Sequence, residues 1–264
     1  MKKAVMKKVV NVFYSVLLIA AIAMIAIPFA AASEKSAAGH HDWSYEGEHG
    51  PAHWGDVKTD YAVCKTGKNQ SPIDITSAVK ADLPPIQFAY KPALLKIINN
   101  GHSIQVSYPE GSFITIGGKQ YQLVQFHFHH PSEEKIKGKS FDMVAHLVHK
   151  NAEGNLAVVA VLMKKGQANA MMKTLWGHLP KEEGKEEVST DVMIDPSALL
   201  PAQQGYYTFT GSLTTPPCSE GVMWLVLKTP VEISDDQINQ FAHYYKHNAR
   251  PVQPLSGRVV SESR

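Results

Sequence analysis

An excess of charge of either sign is missing from this sequence once its first 32 residues are set aside. Four of its 26 basic residues, Lys2, Lys3, Lys7 and Lys8, lie in that segment with no acid, leaving 22 basic against 24 acidic residues, a formal −2. A near-neutral chain has no electrostatic footprint for nucleic acid. Cysteine is scarce as well: none comes directly after the run Ala30-Ala31-Ala32, which argues against a lipid-anchored lipoprotein, and only Cys64 and Cys218 occur. Internal repeats and long linkers are also absent, so residues 33–264 read as one domain, long enough to bury a full core.

The segment set aside has the grammar of a secretory signal: a lysine-rich start, an almost entirely apolar stretch from Val9 to Ile27, Pro28, and small residues where a signal peptidase cuts. Residues 1–32 are therefore expected to be a cleaved signal peptide, with cleavage after Ala32 and a periplasmic or secreted product that has no membrane association afterwards. A retained N-terminal anchor is the alternative, because the apolar stretch approaches the roughly 20 residues a membrane helix needs. In an oxidising compartment Cys64 and Cys218 are expected to pair as a disulfide, two buried thiols being the alternative.

Short runs with period-two alternation and β-branched residues recur between Gly, Pro and Asn: Ile104 to Tyr108, Phe113 to Ile116, Gln120 to Phe128, Phe141 to Val148, Leu156 to Met163 and Val222 to Leu227. Helical signals are fewer. Ser234 with Gln237 makes a capping box before Ile238, Phe241, Ala242 and Tyr245 at helical spacing, and Met171 to Leu179 is a weaker candidate. Lys181 to Glu187, around Gly184, reads as a solvated loop. The pattern predicts a mostly β fold with peripheral helices.

Chemistry concentrates in Gln125-Phe126-His127-Phe128-His129. Strand alternation sends Gln125, His127 and His129 to one face and both phenylalanines to the other. A second strand places His146 on the face it shares with Val144 and Val148. Three such histidines fill three corners of a tetrahedron around zinc and leave the fourth open, the arrangement of a catalytic site; a structural site would want a fourth ligand. No fourth His or Cys stands in a convincing position, since parity turns His130 away. In a chain with 13 histidines, His-x-His on a strand is also compatible with chance surface histidines, as which His130 and His149 are read.

The motifs around these residues resemble the α-class carbonic anhydrases, of the bacterial type, over nearly all of residues 33–264. In order they are Trp43-Ser44-Tyr45, Gly50-Pro51-Ala52-His53-Trp54, Asn69-Gln70-Ser71-Pro72-Ile73, Asn99-Asn100-Gly101-His102, Gln125 through His129, Pro131-Ser132-Glu133, His146-Leu147-Val148-His149, Gly211-Ser212-Leu213-Thr214-Thr215-Pro216-Pro217-Cys218, and Asn248-Ala249-Arg250-Pro251-Val252-Gln253-Pro254-Leu255. The fold implied is a single α+β domain around a large, mainly antiparallel central sheet with short peripheral helices.

The resemblance implies a carbonate dehydratase that converts carbon dioxide to bicarbonate with zinc-bound hydroxide, with ester hydrolysis as a side activity. His127, His129 and His146 would be the Zn(2+) ligands, the metal lowering the pKa of its water to about 7, a figure that comes from this family. Thr214 would accept the proton of that hydroxide and donate its own to Glu133. His102 would relay the proton to buffer, as suits a group that titrates near neutrality. Val148, Val158, Leu213, Thr215, Val222 and Trp224 would form the substrate pocket, and bacterial members imply a homodimer.

Partners behind the ligands would hold each imidazole in one tautomer. Gln125 fits that role for His127 and the backbone of Asn248 for His129. The sequence departs from the family at Val144, where a glutamate normally accepts the N–H of His146. Loss of such a partner typically costs about 10–100-fold in metal affinity or activity, so weaker zinc retention or altered turnover is expected unless another group substitutes. A non-enzymatic binding module, an esterase and a structural zinc protein are the rival readings.

Overall fold

The computed structural model describes residues 42–264; the expected signal peptide and its cleavage point lie outside the described residues. Within them, thirteen strands join in one sheet. Ten form a continuous path: β1 (Val79–Ala81), β2 (Ala93–Asn99), β3 (Ile104–Ser107), β4 (Lys119–His129), β5 (Met143–Lys150), β6 (Leu156–Lys165), β7 (Glu186–Ile194), β8 (Tyr206–Ser212), β9 (Glu220–Leu227) and β10 (Ser261–Ser263). Their spatial order is β7-β2-β3-β4-β5-β6-β9-β8-β10-β1. Neighbours are antiparallel except β6 with β9 and β10 with β1. The mainly antiparallel sheet that the family resemblance implies is the one observed.

Alternation along the central strands separates two apolar clusters. Phe126, Phe128, Ala145 and Leu147 enter the larger one, together with Trp176 and Phe241 from the two longest helices, α1 (Ala170–Trp176) and α2 (Asp235–Tyr244). Phe126 and Phe128 are fully buried, which contributes roughly 1.5–3 kcal/mol for each side chain. Val144, Val148, Val158, Ala160, Val222 and Trp224 belong to the second cluster, with Leu213 packed against it. His127, His129 and His146 share this second face, so a large buried core backs the strands that carry them.

The capping box forms as the sequence predicts: Gln237 N–H donates to Ser234 Oγ, and Ser234 N–H donates to Gln237 Oε1. Two orphan donors at the start of α2 are thereby satisfied. Gln237 also ties the helices together, donating from Nε2 to Asn169 O at 2.7 Å while its carbonyl accepts Trp176 Nε1–H at 2.9 Å. The weaker helical candidate is real but starts and stops earlier than Met171 to Leu179, ending before Gly177.

The tract Lys181 to Glu187 is not wholly a loop. Its last two residues open β7, where Glu186 and Glu187 pair with Ile98 and Ile97. This strand lies at the end of the sheet path, and charged side chains there protect an otherwise open edge. Cys64 and Cys218 form the expected disulfide across a separation of 154 residues. Among the described residues no helix is long and apolar enough to cross a membrane.

Candidate metal centre

Strand register assembles the centre. On β4 and β5, His127 stands directly opposite His146, and His129 stands opposite Val144. The three ring centroids lie 4.7–5.5 Å apart. One nitrogen from each ring comes within 4.8 Å of the others, forming a group able to hold a metal ion. His129 and His146 are buried and His127 is partly exposed, so the group opens toward solvent on the His127 side.

The remaining nitrogens are tied from behind. His127 Nδ1–H donates to Gln125 Oε1 at 2.8 Å, and His129 Nδ1–H donates to the carbonyl of Asn248 at 2.7 Å. His146 Nε2–H donates to the Glu134 carboxylate, at 3.0 Å to Oε1 and 3.2 Å to Oε2. Every partner is an acceptor only, so each tied nitrogen carries the hydrogen and leaves a lone pair on the other: Nε2 of His127, Nε2 of His129 and Nδ1 of His146. His129 Nε2 is buried without a hydrogen-bond partner. An inward lone pair left unsatisfied in this way, beside two others, fits a tetrahedral zinc with one open position.

Electrostatics agree with that fit. Burial, aided by the neighbouring His146, pushes His127 down to about 3, and burial holds His129 well below its ordinary value. Both are therefore neutral near pH 7, the form a metal requires. Burial would also lower His146, but the charge and hydrogen bond of Glu134, with Glu133 behind them, turn the net direction upward.

Glu133 is buried, and that burial raises it to about 7 against the opposing pull of His146, the Thr214 hydroxyl and the Arg250 N–H. Its Oε1 accepts Arg250 N–H at 2.8 Å, while Oε2 lies 3.5 Å from His129 Nε2 and 3.8 Å from His146 Nδ1. Thr214 is held by the turn after β8: Leu213 N–H donates to Ser219 O and Cys218 N–H donates to Thr215 O. Ser212 anchors that turn through reciprocal bonds with Ser71 and by accepting Trp224 Nε1–H at 3.0 Å. Gly211 has to be glycine here, because an added Cβ would sit 2.1 Å from Ser71 Oγ and 2.8 Å from Trp224 Cδ1.

Val148, Val158, Val222 and Trp224 gather in the apolar cluster with Leu213 at its border. The Trp224 ring is 4.9 Å from that of His146. Thr215 is partly exposed in the same turn. His102 follows an Asn-Gly turn in which Asn100 Oδ1 accepts the N–H groups of both His102 and Ser103, and its ring stacks on Trp43.

Three residues escaped the sequence reading, two of them contributors to the centre. Glu134 supplies the acceptor that Val144 lacks; the signal was a second acid next to Glu133, together with a histidine that needed a partner. Arg250 spans Gln70, Ser71 and Cys64 with its guanidinium while its N–H holds Glu133. His149, read as a surface histidine, is fully buried, bonded to Tyr90 Oη at 2.8 Å and to Ala157 O at 3.3 Å. It lies just past a register shift between Val148 and His149 and stays outside the metal-holding group, as does His130, whose Nδ1–H meets Lys246 O.

Residues 49–264 match the family described as eukaryotic-type carbonic anhydrase. A carbonic anhydrase of Pectobacterium atrosepticum is 46% identical over 238 residues, 89% of this chain and 97% of the relative. One from Neisseria gonorrhoeae is 47% identical over 225 residues, covering 84% and 88%. The α-carbonic anhydrase of Thermovibrio ammonificans, solved with the inhibitor sulfanilamide, superposes with a TM-score of 0.81 at 45% identity, over 86% of this chain and 100% of that one.

Proposed function

The chain belongs to the eukaryotic-type, α-class carbonic anhydrases and is an enzyme of that family, and from this premise we propose that it hydrates carbon dioxide reversibly at a zinc ion held by His127, His129 and His146. The observation that carries the reading is the convergence of three imidazole nitrogens within 4.8 Å, each ring tied from behind by an acceptor. Zinc, when bound, supplies a Lewis acid that makes hydroxide available at neutral pH.

The chain's own residues do the rest. Val148, Val158, Val222, Trp224 and Leu213 offer an apolar wall to a substrate with no dipole, and Thr215 borders it. Thr214 donates a hydrogen bond from its hydroxyl to Glu133, so its oxygen turns a lone pair toward the attacking group and disfavours ligands with no proton to give. His102 takes the proton released by each turnover and passes it to buffer. The leader sequence and the disulfide support export to the periplasm or beyond, and the resemblance to bacterial members of the family carries the expectation of a homodimer.

The test is stopped-flow hydration of carbon dioxide on zinc-reconstituted protein, with bound metal measured in the same sample. Hydration should track zinc content and vanish in His129→Ala. One zinc per chain with no hydration above the buffer rate would defeat the reading and favour a binding module.

A further inference from the structure

We infer that Glu134 is the positioning residue of His146, a carboxylate delivered from the β4–β5 connection in place of the one missing at Val144, and that zinc retention by this chain depends on it. The inference rests on the three-histidine site being a zinc site, and it does not depend on the reaction catalysed there.

Three observations converge. First, the geometry is that of an orienting contact: the Glu134 oxygens lie 3.0 and 3.2 Å from His146 Nε2, and the carboxylate is fully buried. A buried acid with its oxygens turned on one ring nitrogen fixes the plane of that ring and assigns its lone pair to Nδ1. Second, the backbone beneath it is pinned. Ser132 Oγ–H donates to the Glu134 carbonyl at 2.8 Å and accepts Phe141 N–H, also at 2.8 Å. Immediately afterwards Lys135 and Ile136 pair in parallel with Asp74 and Ile75.

Third, the position that would have carried the acid has been given over to packing. Val144 is fully buried among Ile73, Ile75 and Leu162 on the face that bears His146. With Glu133 already buried nearby, Glu134 and a glutamate at 144 would place three carboxylates around one imidazole, and like charges so close disfavour one another. One acid from either position satisfies His146. The two positions are therefore alternatives, which predicts a reciprocal genetic relationship.

The experiment measures zinc dissociation into excess chelator at fixed pH, together with the visible spectrum of the cobalt-substituted protein, for the wild-type chain, Glu134→Ala, Glu134→Gln, Val144→Glu, and the double variant Glu134→Ala with Val144→Glu. Glu134→Ala should release zinc about 10–100-fold faster and alter the cobalt bands. Glu134→Gln, which keeps an acceptor oxygen and the side chain's shape, should fall between. Val144→Glu alone should retain zinc no better than wild type, yet restore retention when Glu134 is absent.

Dissociation from both Glu134→Ala and Glu134→Gln within about twofold of wild type, with unchanged cobalt spectra, overturns the inference. If Glu134→Ala does not fold, Glu134→Leu, which keeps the volume and removes the acceptor, takes its place in that comparison. Failure of the catalytic reading looks different: wild-type protein would bind zinc and hydrate no carbon dioxide, while the order of dissociation rates stayed as stated.

Discussion

The imidazole of His102 lies flat on the indole of Trp43, with ring centroids 3.6 Å apart and planes 9° from parallel. Trp43 is itself buried with Trp54 and the disulfide, so the stack sets the ring proposed as the proton relay against a fixed wall at the end of an Asn-Gly turn. Replacing His102 by Ala should slow turnover on the order of 10²-fold in dilute buffer, and added imidazole should restore it. Bound zinc, measured in parallel, should not change; a variant with full activity in dilute buffer would exclude His102 from the relay.

His129→Ala removes one of the two buried candidate ligands. Zinc content and hydration should fall together, and a thermal melt should show a folded protein, because the phenylalanine cluster on the other side of the sheet does not involve this ring. Retention of stoichiometric zinc would mean that the metal sits elsewhere.

At Gly211 the neighbouring atoms leave no room for a methyl group. Gly211→Ala should destabilise the chain by about 1–3 kcal/mol in urea unfolding. In a double-mutant cycle, Gly211→Ala should cost less in a Ser71→Ala background than in the wild-type chain, since the nearest obstacle is Ser71 Oγ. Equal stability of Gly211→Ala and wild type would contradict the packing described.

The buried His149 should make stability depend on pH. Burial lowers it to about 3, well below the ordinary value of 6.5, so the folded state binds fewer protons than the unfolded one between those values. The contribution is complete above about pH 6.5 and is lost as pH falls toward 3. His149→Gln should cost stability at pH 7.5, and that deficit should shrink by up to about 2 kcal/mol at pH 5. Urea midpoints at the two pH values decide; a constant deficit would show that His149 is not held neutral.

Replacing Cys64 and Cys218 by Ser should cost about 2–5 kcal/mol. The loss should appear as a lower melting temperature, and the same shift should follow reduction of the wild-type chain.

The candidate ligands on the first strand were legible because alternation along one strand is a short-range rule: His127 and His129 must share a face whatever surrounds them. The helix at Ser234 was legible for the same reason. Glu186 to Ile194 was not read as a strand because it lies at an edge, exposed and charged, without an apolar rhythm. Val144 exposed a gap in the pattern, but its solution depends on how residues 130 to 142 fold back, and no periodicity links Glu134 to His146. His149 was misread because both faces of its strand are covered, every side chain from Met143 to His149 being buried, so parity alone does not bring a histidine there to the surface.

Asn248 gives its carbonyl to His129, its Oδ1 to the N–H of His130, and its Nδ2–H groups to the carbonyls of His102 and Phe128, and two residues later Arg250 N–H reaches Glu133. The parts of the centre thus span His102 to Arg250. A ribosome builds the chain from its N-terminus, so the histidines emerge long before the residues that aim and brace them. The strands can pair early, but the tautomer of His129 and the placement of Glu133 are settled only when the segment near the end of the chain docks. Completion of the centre is therefore a report that the whole domain has been made and folded, and a chain truncated ahead of Asn248 would present all three imidazoles without the bonds that organise them.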